Sequence, residues 1–226
     1  MSSRLLKRLR GGGEIPLRDK KNQPYNLNNL INFVNCMRQY RPSTIPPNSK
    51  KVFAGKIFTV YQWEQEMFDG TKQTFERLTR PDTASVIAVT KEGKILVTDQ
   101  EQPSTNRAFC LPGGRVDMGE TPIETAKREL LEETGYAGED WKLFREFTRY
   151  SKIDYCFYVF IAKGVTKKVE PKLDSGEKIE VKELSFDEFM DILIDEKFED
   201  NDLALHILRL QKDTDKFTAF RKLLGV

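Results

Sequence analysis

Cysteine and histidine are scarce in this chain of 226 residues, which contains three cysteines and one histidine. Cys36, Cys110 and Cys156 are odd in number and widely spaced, a pattern typical neither of a disulfide framework nor of a zinc site. The histidine, His206, lies on a segment with the periodicity of an amphipathic helix, so we expect a packed or surface side chain. These absences exclude the disulfide-rich secreted class and favour a reducing compartment.

Long apolar runs and net charge are lacking as well. No apolar run approaches the ~20 residues of a membrane span, and no signal-peptide core is visible. The chain has 37 Lys and Arg against 35 Asp and Glu, a formal net charge of +2, so no overall field points to nucleic acid or to a membrane. We therefore expect a soluble, cytoplasmic protein with neither a membrane nor a nucleic acid as its partner.

Residues 1–50 are predicted to precede a folded domain over 51–226. Residues 1–26 are basic and contain glycine, a composition typical of a solvated, disordered tail. A nucleic-acid arm or an organelle presequence stays open as an alternative. An apolar stripe with helical spacing predicts a short helix over 27–37, and the prolines that follow indicate a linker.

From Val52 onward the pattern changes to that of β-strands. Asp69-Gly70 is a strong signal for a hairpin turn, and the apolar segment 154–162 is expected to be buried on both faces. The predicted strands are 56–68, 73–80, 85–90, 95–100, 108–111, 142–150, 154–162 and 178–184.

Helices are predicted between and after these strands. Ser185 and Glu188 form a capping-box pattern, and Asp200 or Asn201 begins a last amphipathic helix. Strands that bracket one helix and are followed by others predict an α/β fold, with a mixed sheet sandwiched between helices.

The segment 114–136, GRVDMGETPIETAKRELLEETGY, carries the densest set of signals. It follows a glycine-rich turn and contains a complete helix pattern. Thr121 is a plausible N-cap, Pro122 fits the first helical position, and Glu124 completes a capping box. Gly135 supplies the end of the helix.

Three carboxylates, Glu129, Glu132 and Glu133, share one face of this predicted helix, because positions i, i+3 and i+4 are neighbours. Like charges at that distance repel by about 1 kcal/mol per pair even at high dielectric. A cation among them would relieve the repulsion, and oxygen ligands favour hard ions such as Mg²⁺ or Mn²⁺. A solvated acidic face is the alternative, but it leaves the glycine turn and the cap unexplained.

The spacing of Gly114, Glu120, Arg128-Glu129-Leu130, Glu132-Glu133 and Gly135 resembles the Nudix box. The resemblance implies the Nudix α/β/α sandwich and a metal-dependent hydrolase of a nucleoside diphosphate linked to another moiety.

The same resemblance assigns roles within the box. It implies that Glu129 and Glu133 bind Mg²⁺ (or Mn²⁺), with Glu132 as a further ligand or water-positioning group. It also implies an added oxygen from the carbonyl of Gly113 or Gly114.

An ion pair between Glu120 and Arg128 is implied as well, and this pair would hold the glycine loop against the helix. Gly114 and Gly135 complete the structural positions of the motif.

Outside the box, segments 58–80, 98–100 and 173–181 are similar to the ADP-ribose and nucleoside-diphosphate-sugar pyrophosphatases, and the likeness covers Val52–Lys212 with a catalytic core over 84–212. It implies a homodimer in which the hairpin, part of a small N-terminal antiparallel sheet, completes the partner's substrate site.

The resemblance to this branch also bears on the substrate residues. It makes Glu177 the candidate general base, with Glu180 as the runner-up. Gln102 stands where the branch usually has an arginine that binds substrate, so Arg80 or Arg107 would have to replace that charge.

Two other functions remain open. One is a housecleaning or decapping enzyme of the same family, which only the basic tail supports. The other is a ligand-sensing Nudix domain without catalysis. Silent members usually lose acidic residues of the box, and this chain keeps them all.

Overall fold

The computed structural model describes residues 44–103, 105–150 and 152–226, with the backbone alone for 149 and 150. This part of the chain forms a mixed β-sheet with helices on both faces. The strands are β1 (Lys50–Ala54), β2 (Thr59–Glu66), β3 (Lys72–Thr79), β4 (Thr83–Thr90), β5 (Ile95–Glu101), β6 (Ala108–Cys110), β7 (Gly113–Arg115), β8 (Tyr136–Ala137), β9 (Asp140–Tyr150), β10 (Ile153–Lys167) and β11 (Lys178–Leu184). The helices are α1 (Pro122–Glu129), a π-helical turn (Leu130–Thr134), α2 (Phe186–Ile192), α3 (Asn201–Gln211) and α4 (Thr214–Leu224).

The sheet follows the order β1-β2-β3-β10-β4-β5-β11. Strand β10 runs parallel to β3 and β4 and antiparallel to β9. The other pairs in that order are antiparallel. The predicted mixed sheet is therefore confirmed, and β10 is the strand on which it is centred.

The N-terminal sheet consists of β1, β2 and β3. The predicted hairpin lies at Asp69-Gly70, where Asp69 Oδ1 accepts bonds from the backbone N–H and the hydroxyl of Thr71. Two parallel pairs, Ile153 with Leu78 and Asp154 with Thr79, join β3 to β10. The small antiparallel sheet is thus continuous with the main one.

Two apolar layers cover the two faces of β10. Phe157, Val159 and Ile161 pack in one layer with residues of α2, α3 and α4. Tyr158 and Phe160 face the other layer, where α1 lies. Successive side chains of a strand point to opposite faces, so the predicted burial of this strand on both faces is confirmed, and with it the α/β/α sandwich.

The helix predicted as the last one is followed by a further helix, α4. Asp213 begins α4 by accepting a bond from the backbone N–H of Lys216. Phe220 and Leu224 are buried in the core with α2 and α3. The end of the chain is therefore part of the sandwich, and the apolar spacing of Phe217, Phe220 and Leu224 was the signal for it.

The predicted basic tail and the predicted helix over 27–37, together with Cys36, lie outside the described residues. None of the described helices is long and apolar enough to cross a membrane.

Candidate active site

The glycine turn lies against the acidic helix. Strand β7 pairs with the start of β4, through Gly114 opposite Ala84 and Gly113 opposite Ser85. A Cβ atom added to Gly114 would lie 2.2 Å from Oε1 of Glu129. Only glycine permits this approach, so the turn and the carboxylate are fitted to each other.

Helix α1 begins as predicted. Thr121 accepts a bond from the backbone N–H of Glu124, and the Glu124 carboxylate accepts one from the backbone N–H of Thr121. The expected regular α-helix does not continue to Glu133, however, because Leu130–Thr134 forms a π-helical turn. The hydroxyl of Thr134 donates to the carbonyl of Leu130 within this turn, and such turns are frequent at functional sites.

Arg128 is the cation around which three glutamates gather. Its Nε and Nη2 donate to the two oxygens of Glu120 at 2.8 and 3.0 Å. Its Nη1 donates to Glu129 at 2.8 Å and to Glu132 at 3.0 Å. The repulsion expected among the carboxylates is thus offset by an arginine of the same helix.

The ion pair predicted between Glu120 and Arg128 is present and bidentate, and the hydroxyl of Thr125 also donates to Glu120. The Arg128 guanidinium lowers the pKa of Glu120 to about 2, with smaller help from Thr125. Arg128 Nη2 also reaches the backbone carbonyl of Arg115 in the glycine turn, at 3.4 Å. The pair therefore connects the turn to the helix, as the motif implied.

Glu133 and Glu129 are the enclosed carboxylates of the site. Glu133 is 6% exposed and accepts a bond of 3.0 Å from the backbone N–H of Gly113. Burial raises the pKa of Glu133 well above its usual range and also raises the pKa of Glu129. Glu133 is thus shielded from water and Glu129 is partly shielded, a setting in which a hard cation would stabilise the ionised carboxylates.

The loop that carries Glu177 is bound to the end of the acidic helix. The backbone N–H groups of Lys168 and Val169 donate to the carbonyl of Gly135 at 2.8 and 3.2 Å, and that of Lys172 donates to the carbonyl of Glu132 at 2.7 Å. Gly135 has a φ of +76°, and a Cβ atom there would lie 2.1 Å from the carbonyl oxygen of Val169. Gly135 therefore ends the helix and also makes room for the loop.

A cleft of about 660 Å³ brings most of the predicted site residues together, a volume within the range of small-molecule sites. The predicted residues that line it are Arg80, Gln102, Gly113, Gly114, Arg128, Glu129, Glu132, Glu133 and Glu177. Further lining residues, for which the sequence predicted no role in a site, include Arg115, Tyr155, Lys172, Asp174, Glu199 and Asp200. Lys172 and Asp174 lie just before Glu177 in its loop, which was the available signal for them.

Arg107 is not among the residues that line the cleft. Its Nε and Nη2 donate to the Asp99 carboxylate at 2.6 and 3.0 Å, and Nη2 also donates to Glu180 at 3.2 Å. The guanidinium is consequently occupied by acidic partners of neighbouring strands. The structure brings Arg80 to the cleft, whereas Arg107 and Glu180 lie outside it.

The chemistry of the donor set fits a hard divalent cation. Glu129, Glu132 and Glu133 offer only carboxylate oxygens, the ligands that Mg²⁺ prefers, and Glu133 is buried with a backbone N–H as its hydrogen-bond donor. Among the described residues, no group of three or more His, Cys, Asp or Glu side chains already has metal-binding geometry. A metal held by Glu129 and Glu132 would share their carboxylates with Arg128, which donates to both.

The family model of the NUDIX domain matches residues 79–205. An ADP-ribose pyrophosphatase of Bacillus subtilis is 31% identical over 165 residues, 72% of this chain and 89% of that protein. A methanol dehydrogenase activator of Bacillus methanolicus is 30% identical over 169 residues, 73% of this chain and 91% of that protein.

A solved structure has the same fold. The crystal structure of an ADP compounds hydrolase superposes with a TM-score of 0.60 and 19% identity, covering 79% of this chain and 94% of that one. The family model spans more than half of the chain, and both relatives are matched over most of their length. The chain therefore belongs to the Nudix family, which confirms the enzyme class predicted from the sequence, a hydrolase acting on pyrophosphate bonds.

Proposed function

We propose that this protein is a Mg²⁺-dependent hydrolase that cleaves the pyrophosphate bond of a nucleoside diphosphate derivative, of the ADP-ribose or nucleotide-sugar type. The products would be a nucleoside monophosphate and a phosphorylated second product. One observation supports the proposal most strongly: Glu129 and Glu133 lie against the glycine turn, in a cleft that Arg80 also lines.

The names of similar proteins support this substrate class. The relative from Bacillus subtilis is named an ADP-ribose pyrophosphatase. The activator of Bacillus methanolicus is nearly as similar to this chain as the Bacillus subtilis protein is. Its name favours a regulatory role as the second candidate function. Turnover of a substrate distinguishes a hydrolase from a regulator without catalysis.

In the proposed site, Glu129, Glu132 and Glu133 would hold Mg²⁺ or Mn²⁺, and the backbone carbonyl of Gly113 would add a further oxygen. When bound, the ion supplies charge neutralisation for the diphosphate and a more acidic water. Arg128 keeps the carboxylates and the glycine turn in place, since it already bonds to both. Positioning of this kind accounts for much of the rate of pyrophosphate cleavage.

Glu177 is the proposed general base. It lines the cleft and lies on the loop bound to Gly135 and Glu132. Its carboxylate accepts a bond of 3.2 Å from the backbone N–H of Asp174, which orients it while leaving acceptor capacity. Glu180, the runner-up, bonds to Arg107 and Lys182 instead.

Arg80 and Gln102 are the proposed substrate contacts within the cleft. A guanidinium binds phosphate oxygens through charge-assisted hydrogen bonds, and the Gln102 amide can donate to ribose or phosphate oxygens. Arg80 thereby supplies the charge that is missing at Gln102.

A homodimer completes the proposal. Strand β1 is exposed along its whole length, and Val52 and Phe53 are 50% and 57% exposed. An apolar edge strand of this kind is suited to pairing with a second copy. Sedimentation should show a dimer at micromolar concentration; a monomer at that concentration would refute a shared site.

We also propose a cytoplasmic location for the protein.

The test of the function is a hydrolysis screen with and without Mg²⁺ over ADP-ribose, nucleotide sugars, NADH, dinucleoside polyphosphates and capped RNA. We expect metal-dependent release of nucleoside monophosphate, with ADP-ribose or a nucleotide sugar as the preferred substrate. Preference for capped RNA or dinucleoside polyphosphates would replace this substrate class with the decapping alternative. Binding without turnover of any compound would support a sensor.

A further inference from the structure

Arg80 lies at the junction of the two parts of the sheet. Strand β10 pairs with β3 through Ile153 and Asp154, and with β4 from Phe157 onward. Tyr155 lies between these two stretches, next to the connection from β3 to β4. That connection is fixed, because Asp82 accepts a bond of 2.9 Å from the backbone N–H of Cys156.

The guanidinium of Arg80 is held by an aromatic ring. Its Cζ lies 4.7 Å from the centre of the Tyr155 ring, a cation–π distance. Its Nε is enclosed and meets no hydrogen-bond acceptor among the described residues. Those residues also place no carboxylate within ion-pair distance of it, so its charge is available to an anion that enters the cleft.

The ring is itself fixed. The Tyr155 hydroxyl shares a hydrogen bond with the hydroxyl of Thr83, and both side chains line the cleft with Arg80. The hydrogen bond limits rotation and displacement of the ring, and the ring in turn limits where the long arginine side chain can lie. Fixing a flexible cation before binding reduces the entropy that binding costs.

We propose that Tyr155 is a positioning residue for substrate, which holds Arg80 toward the anionic part of a nucleoside diphosphate derivative while Thr83 holds Tyr155. This rests on the proposed function for the identity of the ligand. It adds the prediction that Tyr155 acts only through Arg80.

The experiment is a double-mutant cycle on the full chain, with the dissociation constant of ADP-ribose measured by calorimetry in metal-free buffer, where no turnover occurs. Tyr155→Leu should weaken binding about tenfold, within the range of a desolvated cation–π contact. In the Arg80→Ala background the same change should weaken binding less than about twofold, because coupled residues are not additive.

Milder variants test the second contact. Tyr155→Phe keeps the ring and Thr83→Val removes the partner hydroxyl, so each should weaken binding by about threefold or less, and the double variant no further. They also keep the proposal testable if Tyr155→Leu does not fold. Trp141→Leu is the matched control: it removes a ring 5.8 Å from Lys127 Nζ that does not line the cleft, and binding should be unchanged.

Equal weakening by Tyr155→Leu in both backgrounds would overturn the proposal, as would unchanged binding in Tyr155→Leu or no binding of ADP-ribose by the wild type. The failure of the proposed function looks different. If the wild type binds ADP-ribose and the cycle shows coupling, yet Mg²⁺ gives no turnover, the positioning role stands and the hydrolase proposal fails.

Discussion

Arg128 and Arg80 line the same cleft in contrasting surroundings. Arg128 donates to the carboxylates of Glu120, Glu129 and Glu132. Arg80 lies over the Tyr155 ring and has no carboxylate partner among the described residues. The acceptors around the two arginines therefore differ: Arg128 joins the glycine turn to the acidic helix through its own chain's oxygens, and the charge of Arg80 has no acidic partner among the described residues.

Arg107 extends the comparison. Its side chain is 56% exposed, yet its guanidinium is committed to Asp99 and Glu180. The Arg107 guanidinium in turn lowers the pKa of Asp99. Exposure alone therefore does not show whether an arginine is free of acidic partners.

The largest effect should come from Glu133, the carboxylate that Gly113 rather than Arg128 holds. Glu133→Gln should lower kcat for ADP-ribose by about 10³-fold or more, because it removes a charged ligand of the ion that activates water. Glutamine still accepts the Gly113 bond, so thermal unfolding in metal-free buffer should stay near that of the wild type. The exposed Glu139→Gln is the control, and a kcat within about threefold of wild type for Glu133→Gln would remove this residue from the metal site.

Gly135→Ala should have the next largest effect, because it breaks the contact between the end of the acidic helix and the loop of Glu177. An L-residue in the left-handed region costs about 1–2 kcal/mol, and the added Cβ also displaces Val169. We expect kcat to fall about 10- to 100-fold through misplacement of Glu177. Gly164→Ala is the matched control, with a φ of +65° and nothing within 4 Å of the added Cβ. Equal losses of kcat in the two variants would contradict a role for loop binding.

Glu120→Gln tests the ion pair between Glu120 and Arg128. It should lower the free energy of unfolding at pH 7 by about 1–3 kcal/mol, since Arg128 loses its partly buried bidentate partner and keeps only Glu129 and Glu132. The pKa of Glu120 is lowered from 4.5 to about 2, so its contribution is present above pH 4.5 and is lost as the pH falls toward 2. Urea unfolding from pH 7 to pH 2 should show the two proteins converging on acidification; a difference that persisted or grew would refute this assignment.

Arg107→Ala should have the smallest effect. Arg107 is 56% exposed and does not line the cleft, so KM for ADP-ribose should change less than about threefold. Arg80→Ala should raise KM about 30-fold, as expected when a charge-assisted phosphate contact is removed. Steady-state kinetics on the two variants settles which arginine replaces the charge missing at Gln102. Equal increases in KM would remove the contrast between them.

Much of the fold and of the box could be predicted from the sequence because their signals are local. The capping box at Thr121, the end of the helix at Gly135 and strand β11 over Lys178–Leu184 depend on residues a few positions apart. The pair between Glu120 and Arg128 could be inferred from the motif.

The rest depends on contacts between distant segments. The surroundings of Arg80 and Arg107 are set by Tyr155 and Asp99, which only the folded sheet brings near them. The π-helical turn has no periodic signal, since the sequence pattern is compatible with an ordinary α-helix. Helix α4 has an apolar stripe, but Lys212 caps the end of α3 and Asp213 caps the start of α4. The stripe therefore does not continue that of α3, and a second helix after the predicted last one was not expected.

Product analysis of ADP-ribose incubated with the wild-type protein and Mg²⁺ or Mn²⁺ tests the proposed hydrolysis itself. We expect AMP and ribose 5-phosphate in equal amounts, and none when the metal is chelated. Release of neither product at saturating metal, from a folded protein, would contradict the assignment of the acidic cleft to this reaction.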